Sequence, residues 1–276
     1  MISDVRTLDH PIASPPGTPD RVAWYMVVTP LCRYNPDVLL RPRLAAIRRF
    51  YPGSRILVQP SETGPATVAR WRGMTAGLGV DWLPSRPIHT WAAGVSPIAA
   101  MLEAYLDTPD PADFLIKIDL DARLWRRFRQ LPHDRVGVFG TLESFASSGF
   151  PFGDFPHVQG GCYGMSRETA GRIREAGVLD CARLRDDPAI WVDGIADWRG
   201  IPEAGRTLED GLLRWVAKEM GMRPFGYEEI DSRFLPCTRA ASADFAVTHP
   251  HKMLEADEEA GVVPQSCPDR PTVRVN

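Results

Sequence analysis

The chain has 276 residues, 44% of them apolar and 24% charged. That is enough to bury a large core and excludes a fibrous or wholly disordered protein. A formal net charge of −3 excludes a global positive field aimed at nucleic acid or an anionic membrane surface. The five cysteines, Cys32, Cys162, Cys181, Cys237 and Cys267, are scattered without a CxxC pair, so neither a disulfide framework nor a zinc knuckle is expected.

Residues 1–20 carry Pro11, Pro15, Pro16, Gly17 and Pro19 and read as an extended, weakly ordered arm. The start has acids and prolines where a signal peptide needs a basic, then apolar, stretch. No run of about 18 apolar residues follows, so a cytoplasmic protein with no transmembrane segment is expected. The ordered domain is expected over 21–255, with 256–276 as a tail.

VAWYMVVTP, Val22 to Pro30, is an apolar run closed by a turn signal, and RPRLAAIRRFYPG, Arg41 to Gly53, has helical spacing with a Pro-Gly stop. The alternation repeats. RILVQPS at 55–61 reads as a strand, ATVARWRGMTAGLG at 66–79 as a helix and VDWLPS at 80–85 as a strand. SPIAAMLEAYLD, Ser96 to Asp107, reads as a helix with Ser96 as N-cap. DFLIKIDLD is then a fourth strand and VGVFGTL at 136–142 a further one. Strands alternating with helices imply an α/β fold, with a largely parallel first half covered on both faces. In such sheets ligands bind beyond the carboxyl ends of the strands.

Asp119 and Asp121 stand at that end of the fourth strand. A period of two points them the same way. Two carboxylates without a basic partner repel, and a magnesium or manganese ion held together with substrate phosphates is the simplest way to stabilise them. A D-x-D also arises in turns and among solvated acids, and its position after a buried strand is what favours the metal.

Asp119-Leu120-Asp121 in this place resembles the D-x-D motif of the GT-A glycosyltransferases. That resemblance implies a single Rossmann-like domain with a mixed central sheet and helices on both faces. It implies a nucleotide-diphosphate sugar as donor, most simply a UDP-sugar, and a carbohydrate or other hydroxyl acceptor. It also implies Mn2+ or Mg2+ at Asp121, with Asp119 in the same site and nearer the ribose. Gly160-Gly161-Cys162-Tyr163-Gly164-Met165-Ser166 resembles the G-G-x-x-x-L-S stretch of the fringe and β-1,3-galactosyltransferase-like group, where glycines let backbone approach the sugar. A glycine turn leading into a helix capped by Ser166 explains the same residues.

Thr207-Leu208-Glu209-Asp210 resembles the Glu-Asp motif that supplies the base of inverting enzymes, which makes Asp210 the catalytic base. First-turn acids also suit any helix dipole. FAVTHPHKM, Phe245 to Met253, puts His249 where several GT-A families complete the metal site. The loop after the first strand, with Thr29, Pro30, Arg33 and Tyr34, would contact base, ribose and phosphate. Phe145 to His157 and Trp191 to Trp198, including Asp193 and Asp197, would face the acceptor. The chain departs from the fringe-like pattern in having Leu120 between the two acids and Gly211 after Glu-Asp.

Two other enzymes share parts of this pattern. A nucleotidyltransferase usually carries a Gly-rich basic loop after its first strand, which VVTPLCRYNP lacks. A dehalogenase-type phosphatase has its D-x-D after the first strand of the fold. A catalytically silent GT-A relative that binds a glycan or a partner protein is the reading from a different class.

Overall fold

The computed structural model describes residues 21–30, 35–86, 97–109, 112–143, 156–179, 209–231 and 245–249. The expected arm at 1–20 and tail at 256–276 lie outside these residues.

In β1 (Val22–Val28) the side chains alternate between two cores. Val22, Trp24, Met26 and Val28 enter one, and Ala23 and Tyr25 enter the other. A strand buried on both faces reads as a continuous apolar run, and for that reason the first strand is visible in the sequence. Helix α1 (Pro36–Phe50) and α2 (Pro65–Met74) cover the first face through Leu39, Leu40, Leu44, Ile47 and Trp71. Helices α3 (Pro97–Leu106), α4 (Arg167–Glu175) and α5 (Glu209–Glu219) cover the second, through Ile98, Met101, Ile173, Leu212 and Val216.

Between these layers runs a seven-stranded sheet in the order β3-β2-β1-β4-β7-β6-β8. β2 (Arg55–Pro60), β3 (Val80–Trp82) and β4 (Phe114–Ile118) run parallel to β1 in this half of the sheet. β7 (His157–Ser166) is antiparallel to both β4 and β6 (Val138–Glu143), and β8 (Phe225–Gly226) pairs parallel with β6. The sheet is therefore mixed, as expected.

A second, three-stranded sheet joins β5 (Arg123–Leu124), β10 (Val247–Thr248) and β9 (Ile230–Asp231) in the order β5-β10-β9. These strands are too short to carry a period, and the sequence shows only the apolar run before His249.

Three boundaries differ from expectation for identifiable reasons. Helix α1 begins at Pro36, five residues before Arg41, because the Asn35 side chain caps it by accepting from the Asp37 amide at 3.0 Å. Helix α2 stops at Met74, short of residue 79, because Gly77 and Gly79 adopt φ of 83° and 63°. The stretch from His157 to Ser166, read as a possible glycine turn, is a ten-residue strand. Ser166 does cap α4, accepting from the Thr169 amide at 3.2 Å. The expected cap Ser96 lies outside the described residues.

Candidate functional site

Strand β4 ends at Ile118, and the next three residues form a turn rather than a continuation of the strand. The Asp119 amide donates to the Gly161 carbonyl at 2.9 Å and the Ala122 amide to the Asp119 carbonyl at 3.1 Å. The buried Leu120 fills the first core, and its carbonyl accepts from Nε of buried Arg43 on α1 at 3.2 Å. Asp119 and Asp121 therefore converge because the chain turns about Leu120, and not through the period of a strand.

The turn leads directly into β5, and the small sheet then determines what stands opposite. β10 pairs antiparallel with β5, Thr248 facing Arg123 and Val247 facing Leu124. One more step along that register brings His249 level with Ala122, beside Asp121. The His249 backbone is anchored on the other side, its amide donating to the Asp231 carbonyl at 2.8 Å. Thr248 Oγ1 accepts from the Trp125 indole at 2.7 Å.

The result is a cluster of Asp119, Asp121 and His249 whose potential ligand atoms all lie within 4.8 Å of one another. His249 Nε2 is 3.1 Å from Asp121 Oδ1, and both side chains are largely buried. Burial alone would lower the imidazole pKa, but the Asp121 carboxylate outweighs it and the pKa is raised. Burial likewise opposes ionisation of Asp121, and His249 reverses that, holding the carboxyl below its ordinary range. His249 Nδ1 is buried without a hydrogen-bond partner among the described residues.

The expectation that the two carboxylates lack a basic partner is not met. Lys117 Nζ sits 2.7 Å from Asp119 Oδ1 with its side chain only 3% exposed. It also donates to the Gly160 carbonyl and lies 5.6 Å from the centre of the Tyr163 ring. Its signal in the sequence is a lysine inside an otherwise apolar strand, in a chain with only three lysines.

The glycine pair serves the same cluster. A Cβ on Gly161 would come within 2.5 Å of Cγ of His249, so the close approach that requires a glycine here is made by the imidazole. Gly160 and Gly161 both lend carbonyls to the D-x-D strand. Thr29 is buried and Pro30 exposed at the carboxyl end of β1, on the edge where the first-strand loop was expected to meet a ligand.

Asp210 lies in the first turn of α5, which packs its buried leucines in the core that also contains Tyr163 and Met165 of β7. The side chains of Glu209 and Asp210 lie outside what is described, as do Arg33, Tyr34, Thr207 and Leu208. So do Asp193, Asp197 and nearly all of the expected acceptor segments at 145–157 and 191–198.

No protein-family model and no curated protein matches the chain. Solved structures do. An active-site mutant of LgtC superposes with a TM-score of 0.51 at 10% identity, over 87% of this chain and 94% of that one. The galactosyltransferase LgtC in complex with donor and acceptor sugar analogues is 11% identical with a TM-score of 0.47, over the same shares. The chain has the GT-A glycosyltransferase fold. At this identity the likeness is one of architecture, and the narrower resemblance to the fringe-like group rests on the sequence motifs alone. No helix among the described residues is long and apolar enough to cross a membrane.

Proposed function

We propose that the protein is a divalent-metal-dependent glycosyltransferase that moves a sugar from a nucleotide-diphosphate donor to a hydroxyl acceptor with inversion. The observation that carries this reading is the convergence of Asp119, Asp121 and His249 at the carboxyl end of β4 in a GT-A fold. Two carboxylates and an imidazole are a donor set suited to Mn2+ or Mg2+. His249 Nδ1 is buried and meets no hydrogen-bond partner among the described residues, so no protein group occupies that ring nitrogen.

Asp121 and His249, with Asp119, would hold the ion. When bound it supplies positive charge against a leaving diphosphate. The protein's own residues do the rest. Lys117 holds Asp119 in place through a buried ion pair, and Arg43 and Gly161 set the turn between the two acids. Asp210 takes the proton of the acceptor hydroxyl as that oxygen attacks the anomeric carbon from the face opposite the leaving group. One base suffices, since inversion in a single displacement needs no enzyme nucleophile.

Calorimetric titration of nucleoside diphosphates with and without manganese, on wild type and Asp121→Asn, tests the binding half. Turnover of sugar nucleotides by Asp210→Asn tests the chemical half. Binding that is lost in the first variant, and retained without transfer in the second, is the expected pattern.

One observation favours a second reading. Lys117 on Asp119 and His249 on Asp121 balance the two carboxylates without any cation, as a silent relative binding a glycan or a partner protein would require. Nucleotide binding that is indifferent to manganese and to Asp121→Asn, with no turnover, would select it.

A further inference from the structure

At the amino-terminal edge of the sheet, away from the D-x-D turn, the chain leaves a cavity of ≈ 300 Å³. It is lined by Arg21 just before β1, Arg55 at the start of β2 and Arg127 after β5, and none of its described lining residues is acidic. Acids outnumber bases in the whole chain, 35 to 32, so composition does not account for three guanidiniums on one cavity. Tyr51 of the first core, with Tyr105 and Leu57 of the second, supplies apolar wall.

These walls are fixed by the backbone. The Arg21 carbonyl accepts from the Asp113 and Phe114 amides at 2.9 and 3.1 Å, and Arg55 stands opposite Ala23 in the register of β1 and β2. The loop between α1 and β2 is held by Arg48, whose guanidinium donates to the Pro52 and Ser54 carbonyls at 2.6 and 2.9 Å. The Tyr51 hydroxyl accepts from the Phe128 amide at 2.8 Å and the Tyr105 hydroxyl donates to the Ala112 carbonyl. Both hydroxyls are thus engaged by backbone, and the tyrosines have their rings to offer a ligand.

The positive charge is only partly answered. Arg55 Nε lies 2.6 Å from Asp81 Oδ2, while its two terminal nitrogens meet no acceptor among the described residues. Arg127 pairs with no carboxylate among the described residues, and its guanidinium lies over the Tyr51 ring, 5.0 Å from the centroid. Stacking occupies the face of a guanidinium and leaves its edge, which grips phosphate or carboxylate through two parallel hydrogen bonds. Arg21 adds a third positive group, 3.2 Å from Asp113.

We infer that this cavity is a second ligand site, separate from the transferase chemistry, for a small phosphomonoester with an apolar body. Arg55 and Arg127, with Arg21 beside them, suit the near-double charge and three oxygens of a phosphomonoester better than the single charge of a carboxylate. A bare phosphate would leave the two tyrosines and Leu57 uncovered. A cavity of this volume is at the small end of ligand pockets, which limits the body to about one ring. The five residues of β4 put about 17 Å of strand between this edge and Asp119. One small ligand cannot touch both places.

Calorimetric titration of phenyl phosphate, inorganic phosphate and benzoate into the metal-free full chain tests this, on wild type, Arg55→Ala, Arg127→Ala and Asp121→Asn. Phenyl phosphate should bind wild type and Asp121→Asn alike, about tenfold tighter than inorganic phosphate, which lacks the ring, or benzoate, which lacks the second charge. Each arginine variant should weaken it about tenfold, the loss of one charge-assisted hydrogen bond. Phenylglyoxal labelling of the unaltered chain, read by mass spectrometry, needs no variant to fold. Phenyl phosphate should protect Arg55 and Arg127 there and leave the exposed Arg72 reactive. No binding of phenyl phosphate, binding that survives both arginine variants, binding lost in Asp121→Asn, or labelling that phenyl phosphate does not change would each overturn the site. Benzoate binding as tightly as phenyl phosphate would overturn the choice of phosphate.

Discussion

The imidazole of His249 lies against Gly161 so closely that a β-carbon there would be 2.5 Å from its Cγ and 2.7 Å from its Nδ1. The ring has little room to yield, because its backbone is held by Asp231 and its Nε2 by Asp121. Gly161→Ala should therefore push the ring off Asp121, with a loss of stability of about 1–3 kcal/mol. Manganese affinity should fall about tenfold or more, as when the support of a metal ligand is removed. Titration of manganese into the variant measures this, and wild-type affinity would mean that His249 is not a ligand.

Lys117 places a buried positive charge on the ligand set. Lys117→Met leaves Asp119 facing Asp121 without that charge and removes the ammonium donor from the Gly160 carbonyl. The metal-free protein should lose about 1–3 kcal/mol of stability. Manganese should restore more of the melting temperature in the variant than in wild type, because a cation now neutralises what the lysine did. Melting curves with and without manganese compare the two, and an equal shift in both proteins would remove Lys117 from the site's charge balance.

The Asp121–His249 pair makes stability and metal binding depend on pH in opposite ways. His249 has a folded pKa raised above its ordinary 6.5 by the Asp121 carboxylate, which outweighs burial. The stability it contributes is complete below about pH 6.5 and is lost as pH rises through the higher folded value. Asp121 has a folded pKa lowered below its ordinary 3.8, His249 outweighing burial. Its contribution is present above about pH 3.8 and is lost as pH falls through the lower folded value. The metal-free protein should gain most from this pair between about pH 4 and 6.5. Manganese competes with the imidazole proton, so its affinity should climb from pH 6.5 upward. A manganese affinity that is flat between pH 6 and 8.5 would contradict the pairing.

Glu229 ties the small sheet to the chain after β5. Its buried carboxylate accepts from the Arg126 guanidinium, from the Arg129 amide at 2.8 Å and from the Tyr227 hydroxyl at 3.0 Å. Glu229→Ala removes the carboxylate partner of the Arg126 guanidinium and the acceptor of the Arg129 amide, while the Tyr227 hydroxyl keeps the Gln130 carbonyl, and should cost about 3 kcal/mol. Because β9 and β10 carry His249, manganese affinity should fall as well. Chemical denaturation together with metal titration checks both, and stability within 1 kcal/mol of wild type would show the network to be dispensable.

Much of the sheet was legible along the chain. β1, β2 and β4 are buried on both faces and so read as mainly apolar runs, β4 despite Lys117 within it, and helices α3 and α4 were read from their expected caps, Ser96 and Ser166. The start of α1 was missed because its apolar spacing begins well after the cap that Asn35 and Pro36 build. β7 was obscured because Gly160, Gly161 and Gly164 lower strand propensity, and the reason for Gly161 and Gly164 lies in neighbours from distant parts of the chain.

The sequence by itself determined that an alternating α/β half ends in two acids at the ligand-binding edge, because burial and periodicity are local properties. It also placed His249 at the end of an apolar run. Only the tertiary structure decided that His249 meets Asp121, since their contact depends on the register of β10 against β5, across 128 residues. The partnership of Lys117 with Asp119 is nearly local, yet the burial that strengthens it comes from β7. That the Glu62 carboxylate is covered and meets no donor among the described residues is likewise a tertiary fact, because an acid in a loop is expected to be solvated until the packed chain removes its water.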